Sequence, residues 1–339
     1  MEIVLTLDYE LYFGEQTGTV SESIIEATNK LLAVLDCFGV KAVFFVDVGF
    51  VKRLEYFKED HSKLEEDYMM VKSQIESLSQ EGHDIQLHIH PHWEDSMYRE
   101  GKWHINAQRY RLDDWPQKKV NEIVTGYANY LKKFAIKNEV FAYRAGGWCI
   151  QPFDKIGKAL RKNNIWLDST VFKGGYNETK THYFDFRNAP QESTWNFETD
   201  PLAIDSEGSF LEIPISSYKV SPAFFWKLAF TKITKKRKHN TLGDGVPLAA
   251  SKTWIIKKLL FPSYSVASMD GYKASLLQRI FRNKQRDNSD GFFVVIGHPK
   301  ALSEYSLAEL RKFIEQASSV HKFRTFSNLL EEGKITAAQ

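Results

Sequence analysis

The chain has 339 residues, 43% hydrophobic and 26% charged. This soluble composition excludes a disordered chain, and no run approaches the roughly 20 apolar residues that cross a bilayer. Two cysteines, Cys37 and Cys149, exclude a disulfide-stapled scaffold and read as free thiols in a reducing compartment. The net charge of +2 hides an asymmetry: residues 217–290 hold 15 Lys+Arg against 4 Asp+Glu, which leaves −9 on the rest. Met1-Glu2-Ile3-Val4 lacks a basic segment followed by an apolar one, so no cleaved signal peptide and a cytoplasmic location are expected.

Along the chain, Glu2–Leu7 is an apolar run ending at Asp8, with Glu10 two residues on. Ser21 is placed to cap a helix through Ile24, Leu31 and Leu35 that stops at Gly39. Ala42–Val46 is a second strand. A charged helix over about 61–80 stops at Gly82. Ile85–His90 is a third strand. A helix over 117–134, a strand at Val140–Tyr143, a helix over 153–163 and a strand at Ile165–Leu167 follow. Phe292–Ile296 is a very apolar strand, and a helix covers about 304–318. Buried strands alternating with helices predict a parallel α/β fold, a barrel or an open sheet. Residues 217–290 break this rhythm. They carry Phe224-Phe225-Trp226, the run Lys235-Lys236-Arg237-Lys238 and Trp254-Ile255-Ile256-Lys257-Lys258, and predict two or three inserted helices. The expected division is a barrel over 1–216, the basic insertion over 217–290, the last strand and helix over 291–330 and a tail over 331–339.

Polar residues fall at strand ends. These are Asp8, the run His88-Ile89-His90-Pro91-His92-Trp93, Arg144-Ala145-Gly146-Gly147-Trp148, Asp168, and Gly297-His298-Pro299. The carboxyl ends of parallel strands converge on one face, where such folds keep their sites. His88 and His92 are spaced His-x3-His with His90 between, and Pro91 turns the chain. Imidazoles with a carboxylate from Asp8 or Glu10 make a divalent-metal set, for Zn²⁺ first and Co²⁺, Ni²⁺ or Fe²⁺ also. Arg144 could hold Asp8 ionised and aimed, Gly146-Gly147 argue for a close backbone approach, and His298 could titrate near neutrality as an acid.

At these residues the sequence resembles the polysaccharide deacetylase family, the NodB-like group also called carbohydrate esterase family 4. Its first motif, Thr-Phe-Asp-Asp-Gly, looks like Thr6-Leu7-Asp8-Tyr9-Glu10. Its His-x3-His motif looks like His88 to His92 after Gly82-His83-Asp84-Ile85. Its Arg-x-Pro-x-Gly motif is loosely matched by Arg144-Ala145-Gly146-Gly147-Trp148, and its last histidine by His298. Its Asp-and-Trp motif is matched in place by Asp168-Ser169-Thr170, without the Trp.

The resemblance implies a distorted (β/α)7-type barrel and a metal held by Glu10, His88 and His92, with Asp8 as alternative carboxylate and His90 as alternative imidazole. It implies Asp8 as general base, His298 as general acid and Arg144 as the residue that orients Asp8. Tyr9 stands where the family has its second Asp. It should face away from its neighbours, while Glu10 shares the face of Asp8. Trp93, Gly147, Trp148 and Asp168 are the expected substrate contacts.

The expected reaction is removal of an acetyl or other acyl group from a sugar of a polysaccharide or of a nucleotide- or lipid-linked precursor. A cyclic amide or imide hydrolase and a silent glycan-binding protein are the alternatives. The basic insertion is either a lid on the barrel mouth or a contact, through 217–260, with the anionic inner face of a membrane; nucleic acid is not an expected partner.

Overall fold

The computed structural model describes residues 1–14, 16–234, 236–248, 251–287 and 291–337, so Lys235 of the basic run lies outside the described residues. Seven parallel strands make the frame: β1 (Glu2–Tyr9), β2 (Val43–Asp47), β3 (Asp84–Ile89), β4 (Ala142–Ala145), β5 (Leu167–Asp168), β6 (Phe210–Glu212) and β7 (Phe292–Gly297). They pair side by side from β6 through β5, β4, β3, β2 and β1 to β7. The two ends curl toward each other. The Ser216 N–H donates to the Val294 carbonyl (3.0 Å) and the Ile296 N–H to that of Ala267 (3.0 Å), so the seam is held by chain outside the regular strands. This is a distorted (β/α)7-type barrel.

Alternation along the strands sorts the residues. Val4, Val43, Phe45, Ala142, Leu167 and Val294 form one apolar cluster, and Phe326 and Leu329 belong to it. Leu5, Leu7, Phe44, Val46, Ile85 and Leu87 join a second, larger cluster with the helices. Full burial of each such side chain contributes roughly 1.5–3 kcal/mol. The first of the helices, α1 (Ala27–Asp36), follows a wide turn over Ser21–Glu26. Ser21 does not cap it: Thr19 Oγ1 accepts from the Glu22 N–H instead (3.2 Å). Gly39 and Gly82 end their helices in the left-handed region, as their lack of Cβ allows.

The helix α2 (Val48–Phe57) follows β2 without a loop. Its opening Val48-Gly49-Phe50-Val51 reads locally as more strand, but Gly49 lets the Trp93 and Tyr127 side chains close onto the helix. Next come α3 (Ser62–Gln80), α4 (Gln117–Leu131) and α5 (Asp154–Arg161). Residues 217–290 hold an antiparallel pair, Ser217–Val220 with Ser263–Val266, and the helices α6 (Pro222–Thr234), α7 (Lys252–Leu260) and α8 (Leu277–Asp287). The chain ends with α9 (Glu304–Ala317) and α10 (Phe326–Glu331). Cys37 and Cys149 are both free, and no described helix is long and apolar enough to cross a membrane.

Candidate active site

The strand ends deliver their polar side chains to one place. Arg144, fully buried, reaches from β4 to β1, where Nη1 donates to Asp8 Oδ1 (2.7 Å) and Thr6 Oγ1 (3.0 Å). Its Nε donates to the Ser169 carbonyl (2.7 Å), and the guanidinium lies 4.2 Å from the centre of the Phe45 ring. With every side of the guanidinium engaged, Asp8 is fixed through Oδ1 and presents Oδ2 to the site. Tyr9 points the other way, its hydroxyl donating to Gln74 of α3 (2.8 Å). Glu10, back on the face of Asp8, turns into the site, as the alternation requires.

Glu10, His88 and His90 bring one ligand atom each to within 4.8 Å of one another. Glu10 Oε2 stands 2.6 Å from His90 Nε2 and 3.4 Å from His88 Nε2. His88 Nδ1 donates to the Arg144 carbonyl (2.8 Å), so in the neutral ring the lone pair is on Nε2, which is buried without a hydrogen-bond partner. An orphaned imidazole nitrogen beside a carboxylate and a second imidazole fits a divalent cation. Burial pushes the Glu10 carboxyl up, but Lys300, then His90 and His88, outweigh it and hold the group well below the usual range. Burial disfavours charge on His88 too, yet Asp8 and Glu10 raise it to about 9 when no cation intervenes.

The spacing motif pointed to His92 as the second imidazole; the structure brings His90 forward instead. Residues two apart on an extended strand share a face, so His88 and His90 look the same way. Pro91 then starts a short 3-10 turn that carries His92 off. Its ring lies parallel to that of Tyr110 at 5.5 Å, and burial next to His90 holds it well below the ordinary histidine range.

His298 enters from the end of β7. Asp270 receives both its backbone N–H (2.9 Å) and Nδ1 (2.8 Å). Nε2 is thereby aimed at Asp8 Oδ2, 3.6 Å away, and at Glu10 Oε1, 3.8 Å away. Burial lowers the affinity of His298 for a proton, but Asp270, then Asp8 and Glu10, together outweigh it and the net shift is upward.

Two expected substrate contacts, Trp93 and Asp168, are turned away from the cluster. Trp93 is buried, donates Nε1 to Asp47 Oδ2 (2.6 Å) and packs on Phe50 and Trp103, so it offers no sugar-stacking face. Asp168 is buried behind Arg144 and accepts from the Thr170 N–H (3.0 Å) and hydroxyl (2.8 Å). It sits across the ladder from Glu212, which burial and the Asp168 charge push well up. Asp168 therefore braces the strand that positions Arg144. Gly147 has φ +58°, and a Cβ there would come within 2.6 Å of the Tyr110 hydroxyl, while one on Gly146 would strike the His90 ring. The close approach expected of the glycine pair is thus to other parts of the chain. Trp148 is half-buried against Phe172 and Phe184.

Several residues escaped the sequence reading. Lys300 is buried, with Nζ on Glu10 Oε1 (2.9 Å) and on the Leu11 carbonyl. Its proximity to His298 was the available signal, but a lone lysine after Pro299 reads as solvated. Asp270 lies in the basic segment, where no strand pattern marks it. Phe13, Tyr110 and His182 form an aromatic wall, with Tyr110 and His182 ring centres 4.1 Å apart and Phe13 5.0 Å from Tyr110. A cavity of about 640 Å³ between residues 173, 217–221 and 276–284 shares no residue with this cluster.

Residues 3–145 match the polysaccharide deacetylase family model. For the first three motifs the resemblance holds: the match spans β1 to β4 and includes Asp8, Glu10, His88, His90, His92 and Arg144, while the Asp168 and His298 motifs lie outside it. Asp270 and Lys300 lie beyond it as well. A structure from Mycobacterium smegmatis assigned as a polysaccharide deacetylase is similar over 100% of this chain and 92% of its own, at 19% identity and a TM-score of 0.53. That likeness shows the fold. PuuE allantoinase matches 100% of this chain over 91% of its own at 11% identity and a TM-score of 0.49. A 4-alpha-glucanotransferase from Thermococcus litoralis matches 98% of this chain over 41% of its own at 15% and 0.47. Neither of these bears on activity. No curated relative matches the sequence.

Proposed function

We propose that the chain is a hydrolase that removes an acetyl or other acyl group from an amino sugar or acylated sugar. The observation that carries the reading is the pairing of two oriented proton-transfer groups across the candidate metal cluster. Asp8 is held by Arg144, His298 is held by Asp270, and their free atoms stand 3.6 Å apart.

Glu10, His88 and His90 would hold the divalent ion. When bound, it supplies Lewis-acid polarisation of water and of the acyl carbonyl. Asp8 Oδ2 accepts the proton that attacking water gives up. Its other oxygen stays on Arg144, so the carboxylate does not turn away as it protonates. His298 Nε2 delivers a proton to the departing amine or alcohol, and Asp270 supports the imidazolium before that transfer. Lys300 keeps Glu10 ionised. Phe13 and His182 are half-exposed beside the cluster and offer a face on which a pyranose ring packs. The two free thiols suit a reducing compartment, and hence a cytoplasmic precursor as substrate.

The test is acetate release from N-acetylated and O-acetylated oligosaccharides and from nucleotide-linked acetylated sugars, after loading with Zn²⁺ or Co²⁺. Asp8→Asn and His298→Ala should each slow release by roughly a hundredfold or more. Wild-type rates in either variant remove that residue from the mechanism, and no release from any acylated sugar by the loaded protein contradicts the reading.

A further inference from the structure

The α6 and α7 helices are built unlike the rest of the molecule. Residues 219–261 hold ten Lys+Arg and one acidic residue, Asp244. Asp244 is not free to offset them, because it accepts from the Thr19 N–H (2.8 Å), the Thr19 hydroxyl (2.9 Å) and the Ser23 hydroxyl (2.8 Å). Phe224 and Phe225 are buried and Trp226 Nε1 donates to the Leu259 carbonyl (3.1 Å), so α6 and α7 touch. Leu228 and Leu259 pack on this cluster, but many of the other large apolar side chains point to solvent. Trp226 is 59% exposed, Phe230 64%, Ile233 75%, Trp254 47%, Ile256 54% and Phe261 63%. No residue of α7 is buried.

Such a density of exposed large apolar groups is a cost in water unless something covers it. Phe224 and Phe225 are packed inside the segment, but among the described residues nothing covers the exposed ones, which a lid with all its aromatics buried would require. Lysines are interleaved with the exposed rings: Lys227 and Lys232 on α6, Lys257 on α7, and exposed Lys236, Arg237 and Lys238 between. Apolar groups that enter an acyl boundary, flanked by cations that meet lipid phosphates, are the composition of an interfacial anchor. The 13 residues of α6 extend about 20 Å against the roughly 30 Å of a bilayer core. The element has the dimensions to lie along a surface.

We infer that the α6–α7 pair docks the protein on an anionic lipid bilayer, beside the mouth of the candidate active site. The placement follows from the connection between the two helices. The Leu242 N–H donates to the Leu302 carbonyl (2.7 Å), Gly243 to Lys300 (3.0 Å) and Val246 to Gln16 (2.9 Å). This segment is therefore tied to the two loops that bear Glu10 and His298. Val246 and Leu248 within it are exposed as well. The docking does not depend on the hydrolytic reading; if both hold, the face presents the site to substrate carried at the lipid surface.

The experiment is co-sedimentation of the full chain with vesicles of neutral phosphatidylcholine, and of phosphatidylcholine with about one third phosphatidylglycerol. Binding to the anionic vesicles should be strong, and weak to the neutral ones. Near an anionic surface each basic residue is worth roughly fivefold in affinity, so Lys236→Glu/Arg237→Glu/Lys238→Glu should weaken binding by about a hundredfold or more. Trp254→Ser/Phe261→Ser should weaken it to neutral and anionic vesicles alike. All five residues are exposed, so unchanged thermal unfolding will show that the variants fold. Absence of binding to anionic vesicles, or binding that the charge reversal leaves intact, overturns the inference. So does a concentration-dependent dimer in sedimentation velocity that buries this face and leaves the vesicles unbound.

Discussion

The barrel strand ends and the 217–290 segment solve opposite problems with similar residues. At the strand ends, charges are buried and each is answered: Arg144 by Asp8, Thr6 and Ser169, and Lys300 by Glu10 and the Leu11 carbonyl. In α6 and α7 most charges, and the aromatics other than Phe224 and Phe225, face outward. Buried charges need partners within hydrogen-bond reach, which fixes geometry and suits chemistry. Exposed cations among apolar rings fix nothing internally and suit an external surface. The two regions meet at Asp270, which lies within the basic segment yet orients His298.

The sharpest way to break this contrast is Arg144→Met. It leaves Asp8 buried without its counter-charge, and denaturant unfolding should show a loss of about 3–5 kcal/mol. A loss below about 1 kcal/mol would mean that the pair is solvated as a surface pair is.

A smaller effect comes from His83, buried under α3, whose Nδ1 accepts from the Ala42 N–H (3.1 Å). Burial, then Lys41, depresses its pKa to about 3. The folded state holds this ring neutral while the unfolded chain protonates near pH 6.5. Stability is thus intact above about pH 6.5 and falls as the pH drops toward 3. By pH 5 the loss from this one group is about 2 kcal/mol. In His83→Gln the dependence between pH 7 and 5 should be shallower by about that amount; an unchanged slope assigns the acid sensitivity elsewhere.

Asp270→Asn tests the join between the regions and has the smallest expected effect. Asp270 raises the pKa of His298, so in the parent the acid stays protonated to higher pH. In the variant, the limb of kcat/KM that falls with rising pH should move to lower pH, with turnover down roughly tenfold at neutrality. A limb that does not move separates Asp270 from the proton donor.

Much of the frame was legible because strands buried on both sides are written as apolar runs. Glu2–Leu7, Ala42–Val46 and Phe292–Ile296 could hardly be read otherwise. The helix α2 was not, because Val48-Gly49-Phe50-Val51 has local strand character and helicity there depends on packing against Trp93 and Tyr127. Within the site, period-2 alternation correctly set Tyr9 apart from Asp8 and Glu10. The same rule favoured His90 over His92, but the family spacing drew attention to His92. Asp270 and Lys300 went unread for another reason. Each acts through a partner far away in sequence, Lys300 on Glu10 and Asp270 on a histidine 28 residues on, and no local pattern encodes such a contact.

The most direct test of the central claim is metal content by elemental analysis, under equal metal supply, for the parent and for Glu10→Ala, His88→Ala, His90→Ala and His92→Ala. About one divalent ion per chain in the parent and in His92→Ala, with loss in the other three, is the predicted result. A parent that binds none after reconstitution, or loss in His92→Ala with retention in His90→Ala, would contradict the cluster as the metal centre.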